Sequence, residues 1–276
     1  MQLCALDGKR SITALQAQKG KDYICFQCGE IVRLRGGRQR HPHFFHPNPQ
    51  PNCTNHRKSH AHLQVQLRLL KIFSDGKMEH YFPEINRFAD VVTPSHKLIF
   101  EVQCSPISLF EVRARQKAYA QTGFLLVWIL HEKSFNKRYL SDAEKYLRQF
   151  PSYYTNIDAR GHGWIYDQLE LLNDVKRFYI GKKCPVHLAQ HYYFKDNMFS
   201  NIPAFLNNRT QNWPVFFKGD LLHRVWLNPE FAEILIGLEK KGNRLKMLRQ
   251  WKKMLQKLGA YHNQLLKKLL LRNAKR

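Results

Sequence analysis

The stretch from Arg87 to Ser105 constrains this chain most: Arg-Phe-Ala-Asp90-Val-Val-Thr-Pro-Ser-His-Lys-Leu-Ile-Phe-Glu101-Val-Gln103-Cys-Ser. Pro94 and Ser95 favour a turn, and the flanks are largely apolar, so residues 87–93 and 98–104 read as two arms of a hairpin. A turn centred on Ser95-His96 sets Asp90 opposite Glu101. Directly opposed Cβ atoms lie about 5 Å apart. Strand alternation points Gln103 the same way. Two carboxylates side by side on apolar strands repel each other and lose hydration. A hard divalent cation relieves that conflict by binding carboxylate oxygens. The alternatives are an exposed hairpin face, or acids paired with Arg and Lys.

The neighbouring segments build an α/β unit around the hairpin. Leu63, Leu67, Leu70 and Phe73 recur at helical spacing, which predicts a helix over 59–73. Extended segments follow at 78–85, 87–93 and 98–104. Residues 109–121 read as a helix stopped by Gly123. The run Phe124–Leu130 is apolar throughout, as in a strand buried on both faces. A helix is expected over 137–150. Arg115 and Tyr119 are four apart and share a helix face. Arg115 is suited to bind a phosphate through two parallel hydrogen bonds, or else to stack on an aromatic ring. His62 lies one turn from Gln66. Glu84 is a further acid near the first strand, and Trp128 reads as core.

Charge limits the partners. The chain has 276 residues, with 45 Lys+Arg against 21 Asp+Glu, a formal net charge of +24. Such an excess suits a polyanion, with nucleic acid first among the candidates. The 13% aromatic content excludes disorder as the main state. No apolar run is long enough to span a bilayer or form a signal peptide, so a soluble cytoplasmic protein without membrane insertion is expected. Residues 151–276 are dense in aromatics and then basic. The segment Lys240–Arg276 holds 13 Lys+Arg and no acid. Leu245, Leu248, Trp251, Leu255 and Leu258 lie at helical spacing there, which predicts a basic amphipathic helix, or a pair of helices broken near Gly259.

Three of the six cysteines, Cys25, Cys28 and Cys53, fall within 29 residues near the N-terminus. Cys25 and Cys28 have a knuckle spacing, and Cys53 follows the histidine-rich run His41-Pro-His43-Phe-Phe-His46. Pro47, Pro49 and Pro51 exclude a helix here. Zn²⁺ in a closed structural site takes four such ligands. In an extended chain His43 and His46 face opposite ways, so they compete for one place. Cys25, Cys28, His46 and Cys53 are favoured, with His43 as the substitute. Buried thiols with incidental histidines are the alternative.

The strand–turn–strand with Asp90 and Glu101-Val-Gln103 resembles the PD-(D/E)XK nuclease core, whose third position is commonly Lys. Over most of its length the chain resembles the competence protein CoiA-like family. The matching features are Cys25-Phe-Gln-Cys28, His43-Phe-Phe-His46, Ala89-Asp90-Val91, Phe100-Glu101-Val-Gln103-Cys-Ser105, Arg115-Gln-Lys-Ala-Tyr119 and Val127-Trp128-Ile-Leu130. The family's first core helix usually opens with an acid, where this chain has Lys58.

The resemblance implies three parts. These are a zinc-ribbon-like module over 1–57, a restriction-endonuclease-like core over 58–150 and a basic, mainly helical region over 151–276. It implies a DNA-processing role in natural transformation, with Mg²⁺-dependent phosphodiester cleavage. Asp90, Glu101 and the Val102 carbonyl would hold the ion, and Gln103 would place water. Glu84, His62, Arg115 and Tyr119 would assist. DNA, more often single-stranded, and DNA-uptake or recombination proteins are the expected partners. The alternative is a nuclease fold without chemistry that binds single-stranded DNA.

Overall fold

The computed structural model describes residues 2–8, 10–37, 40–48, 53, 58–195, 198–199, 201–244, 247 and 256. The N-terminal part is a five-stranded antiparallel sheet. Its strands are β1 (Cys4–Asp7), β2 (Arg10–Thr13), β3 (Asp22–Ile24), β4 (Ile31–Gly37) and β5 (Arg40–Phe45). They lie in the order β2-β1-β3-β4-β5. Tyr23 packs its ring edge-on against Phe44 at 5.2 Å. The turn after Cys25 closes through Gly29, whose φ of 73° suits glycine. Its N–H donates to the Cys25 carbonyl.

The larger body begins with α1 (His60–Ile72), where the Ser59 side chain caps the first turn by accepting from the His62 N–H. Then come β6 (Lys77–Phe82), β7 (Arg87–Thr93), β8 (Leu98–Gln103), α2 (Leu109–Tyr119), β9 (Leu125–His131) and α3 (Asp142–Leu147). This α-β-β-β-α-β-α order is the one expected from sequence. The helix expected over 137–150 is shorter, because Ser141 caps it and Tyr139 instead bridges to Lys176.

Residues 151–276 depart from the mainly helical expectation. β10 (Ser152–Thr155), β11 (Ile165–Asn173) and β12 (Lys176–Pro185) extend the sheet begun by β6–β9. The result is seven strands in the order β12-β11-β10-β9-β8-β7-β6. Side-chain alternation explains it: Tyr153 packs into one core and Tyr154 into the other. β13 (His187–Tyr193) pairs with β14 (Val215–Lys218). Helices α4 (Asn207–Asn212) and α5 (Leu221–Leu227) follow, and residues 229–244 are helical. The predicted amphipathic helix lies mostly outside the described residues. No helix among the described residues is long and apolar enough to cross a membrane.

Strands β8, β9 and β10 run parallel, joined by crossovers that contain α2 and α3. Two cores form. Val65, Leu69 and Phe73 of α1 pack with Val91, Phe100 and Val102 in one. Val112 and Tyr119 of α2 pack with Val92, Ile99 and Trp128 in the other. Leu63 of α1 belongs to a third cluster with the N-terminal sheet, so α1 is the shared wall between the two parts.

Candidate functional site

The β7–β8 hairpin has the register read from its turn. Thr93 pairs with Leu98, Val92 with Ile99 and Val91 with Phe100. Continued by one step, it sets Asp90 opposite Glu101. Regular bonding gives way there to side-chain bonding. Asp90 Oδ2 accepts the Val102 N–H at 2.9 Å, and the Gln66 amide donates to the Asp90 carbonyl at 3.1 Å. Asp90 Oδ1 meets three groups from α1 and the residues before it. Lys58 Nζ lies at 2.8 Å, His62 Nε2 at 3.1 Å and Gln66 Nε2 at 3.1 Å. Burial opposes ionisation of Asp90. The His62 ring and the Lys58 ammonium outweigh it and hold the carboxyl well below the usual range.

Glu101 is gripped from α2 instead. Arg115 NH1 lies 2.6 Å from Oε2, and the Tyr119 hydroxyl lies 2.7 Å from Oε1 and 2.9 Å from the Phe88 carbonyl. Glu111 steadies Arg115, accepting from its Nε at 2.8 Å. Burial and then the Asp90 charge raise the Glu101 carboxyl above its ordinary value, against the pull of Arg115. The neighbouring acids are therefore pushed apart in protonation, as in catalytic carboxylate pairs.

Among the expected helpers, His62, Arg115 and Tyr119 converge on the two acids. Gln103 ends β8 with its amide donating to the Ser105 carbonyl at 2.7 Å. Glu84 is not brought to the site. It is exposed on the 3-10 turn Pro83–Ile85 beyond the end of β6. The acid from the first strand that does arrive is Glu79. It is buried, and its Oε1 lies 3.1 Å from Lys58 Nζ. Sequence reasoning missed it because Glu79 has a φ of 48°, a kink inside β6 that strand periodicity does not show.

The second cluster lies in the N-terminal part. The ligand atoms of Cys25, Cys28, His46 and Cys53 all fall within 4.8 Å of one another, a group able to hold a metal ion. Cys25 Sγ is 3.7 Å from Cys53 Sγ, and Cys28 Sγ is 3.2 Å from His46 Nε2. His43 stands outside this group, with its ring 5.7 Å from that of His60. The parity of positions 43 and 46 thus separates them as the extended chain requires.

A mixed α/β body with buried acids on neighbouring strands, joined to a small sheet bearing a Cys/His cluster, is the class these observations define. Comparison with known proteins gives the family. Residues 55–168 match the competence protein CoiA nuclease-like domain, and residues 6–56 match the competence protein CoiA N-terminal domain. Competence protein CoiA of Bacillus subtilis (strain 168) is 27% identical over 124 residues, covering 42% of this chain and 33% of that protein. The chain thus matches about one third of that relative's length. No solved structure matches it. The chain belongs to the competence protein CoiA family, with a nuclease-like domain.

Proposed function

We propose that this protein processes DNA in natural transformation and that the Asp90–Glu101 cluster is a Mg²⁺-dependent phosphodiester hydrolase centre on a restriction-endonuclease-like core. The observation that carries this reading is the meeting of two buried carboxylates from adjacent strands with an arginine and a tyrosine from one helix face. Their oxygen donors fit a hard cation, and an orphaned buried carboxylate oxygen on Glu79 lies in the same cluster. Asp90 and Glu101 would hold Mg²⁺, with the Val102 carbonyl as a further donor. The bound ion supplies an activated water and offsets charge on the phosphate. Tyr119 orients Glu101 through its hydroxyl. Arg115, 28% exposed, keeps part of its guanidinium open to a phosphate oxygen. His62 and Gln66 fix Asp90. Gln103 would turn from Ser105 to hold water by hydrogen bonding.

The Cys25, Cys28, His46 and Cys53 set would hold a structural Zn²⁺, which suits mixed thiolate and imidazole donors. The excess of Lys and Arg supports DNA as the partner, single-stranded by preference, alongside uptake or recombination proteins in the cytoplasm. A second reading is a DNA-binding accessory that does not cut. It is favoured by Lys58, whose ammonium already sits on Asp90. A cleavage assay with Mg²⁺ or Mn²⁺ on single- and double-stranded DNA, with Asp90→Asn alongside, tests the proposal. Metal-dependent cutting that the variant loses supports hydrolysis, and no cutting by the natural chain leaves the binding role.

A further inference from the structure

The register places a third acid in the row formed by Asp90 and Glu101. Met78 pairs with Val91 and His80 with Ala89, so Glu79 of β6 faces Asp90 of β7. The β7–β8 ladder then leads from Asp90 to Glu101. Three carboxylates therefore cross three neighbouring strands in one line.

Glu79 is built in at some cost. Its φ of 48° lies in the left-handed region, which a residue without special need rarely occupies inside a strand. Its side chain is 2% exposed. Oε1 meets Lys58 Nζ at 3.1 Å, while Oε2 is buried with no hydrogen-bond partner among the described residues. A buried carboxylate oxygen without a donor is unfavourable and marks the place of a missing partner. Lys58 Nζ lies between the two acids, 2.8 Å from Asp90 Oδ1. The lysine precedes the Ser59 cap of α1 and so lies outside the helix.

Resting on the proposed cation centre, we infer that Glu79 is its third carboxylate ligand and that the Lys58 ammonium is the resident counter-ion, displaced when a divalent cation enters. Among the described residues, the three carboxylates face two permanently charged groups, Lys58 and Arg115, with the titratable His62 ring also on Asp90 and outside this count. With Lys58 in place the row has charge for one monovalent ion at most. With Lys58 withdrawn it balances a divalent one. Lys58 thus sets the affinity of the site by competing for the same oxygens.

The test is Mn²⁺ binding to the full, zinc-loaded chain, read from the electron paramagnetic resonance signal of unbound Mn²⁺. Lys58→Met, which keeps an apolar stem, should bind one Mn²⁺ at least tenfold more tightly than the natural chain. Adding Glu79→Gln should remove that gain. Unchanged or weaker binding in Lys58→Met overturns the counter-ion role, and a gain that survives Glu79→Gln overturns the ligand role. Should Lys58→Met fail to fold, Glu79→Gln alone decides: a tenfold loss of Mn²⁺ affinity supports the assignment and an unchanged affinity overturns it. Because the readout is binding, a chain that takes up Mn²⁺ as expected but cuts no DNA removes only the cleavage reading.

Discussion

Tyr119 and Glu101 are joined by a hydrogen bond of 2.7 Å between a phenol and a carboxylate that are both almost fully buried. The hydroxyl oxygen also lies 2.9 Å from the Phe88 carbonyl oxygen, so its one proton is shared between the acid and the backbone of the opposite strand. This relationship fixes the aim of Glu101 independently of Arg115, which holds the other oxygen.

Tyr119→Phe should therefore leave Glu101 Oε1 without its donor while the ring still fills the core. The loss of a buried hydrogen bond to a charged group predicts a destabilisation of about 1.5–3 kcal/mol. Urea denaturation measures it. A change within about 0.5 kcal/mol would show that the carboxylate finds another donor, a size typical of surface substitutions.

The hairpin was legible because Pro94-Ser95 pins the turn, and one pinned turn fixes every pair behind it. Helix α1 was legible from its leucines, and the Cys/His set from the parity of positions 43 and 46. Glu79 was not, since a left-handed residue inside a strand leaves no periodic mark. The strands beyond residue 150 were also hidden. β11 is buried along Ile165–Leu171 and carries Asp167, Gln168 and Glu170 inward, so it lacks the apolar alternation that announces a half-buried strand. Those polar residues are satisfied by partners far along the chain, which only the fold brings near.

Arg177 is the centre of one such arrangement. It reaches Glu170 at 2.6 Å and also bonds Glu144, and none of the three side chains is more than 2% exposed. Arg177→Met should cost about 3–5 kcal/mol, because buried Glu144 loses its cation and Glu170 is left with Arg148 alone among the described residues. Restoring the balance with Glu144→Gln in the same chain should recover part of the loss. Thermal unfolding of the single and double variants checks it, and additive losses would contradict the coupling.

Asp220 gives a pH dependence of known sign. Burial and then the Asp167 charge push its carboxyl up to about 7, against a value of 3.8 for the unperturbed group. Between those values the folded protein keeps a proton that the unfolded chain has released. Stability should accordingly fall as pH rises from about 4 to about 7, and this contribution should be level on either side. Asp220→Asn retains an acceptor for the His223 N–H and should flatten that slope. Urea midpoints taken across the window compare the two, and parallel curves would refute the assignment.

The Cys/His cluster predicts about one tightly held Zn²⁺ per chain. Cys28→Ser should lose the ion and lower the stability of the N-terminal sheet, whose core includes Cys25 and Cys53. His43→Ala should keep the ion, since that ring packs on His60 instead. Elemental analysis of metal-replete protein reads both. Zinc lost in His43→Ala and kept in Cys28→Ser would reverse the ligand assignment.

DNA affinity should depend steeply on salt, and the basic end of the chain supplies a way to test where the phosphates are held. The helical residues 229–244 pack onto the main body, since Gly242 sits against Leu171 and Phe178 so closely that an added Cβ would lie within 3.0 Å of each. Truncation after Arg244 spares that packing and still removes ten of the 13 Lys+Arg counted from Lys240 onward, Lys240, Lys241 and Arg244 being retained. For every phosphate that the protein no longer neutralises, the slope of log K against log salt falls by about 0.9 for duplex DNA, or about 0.7 for single strands. A segment that tracks the DNA backbone should therefore take several units of slope with it. The rival role is an amphipathic segment whose Leu248, Trp251 and Leu255 bind a protein while its charges stay solvated. That role predicts an unchanged slope, since the same phosphates stay neutralised. Filter binding across a salt series, with the fold of the truncated chain confirmed by its thermal unfolding, separates the two.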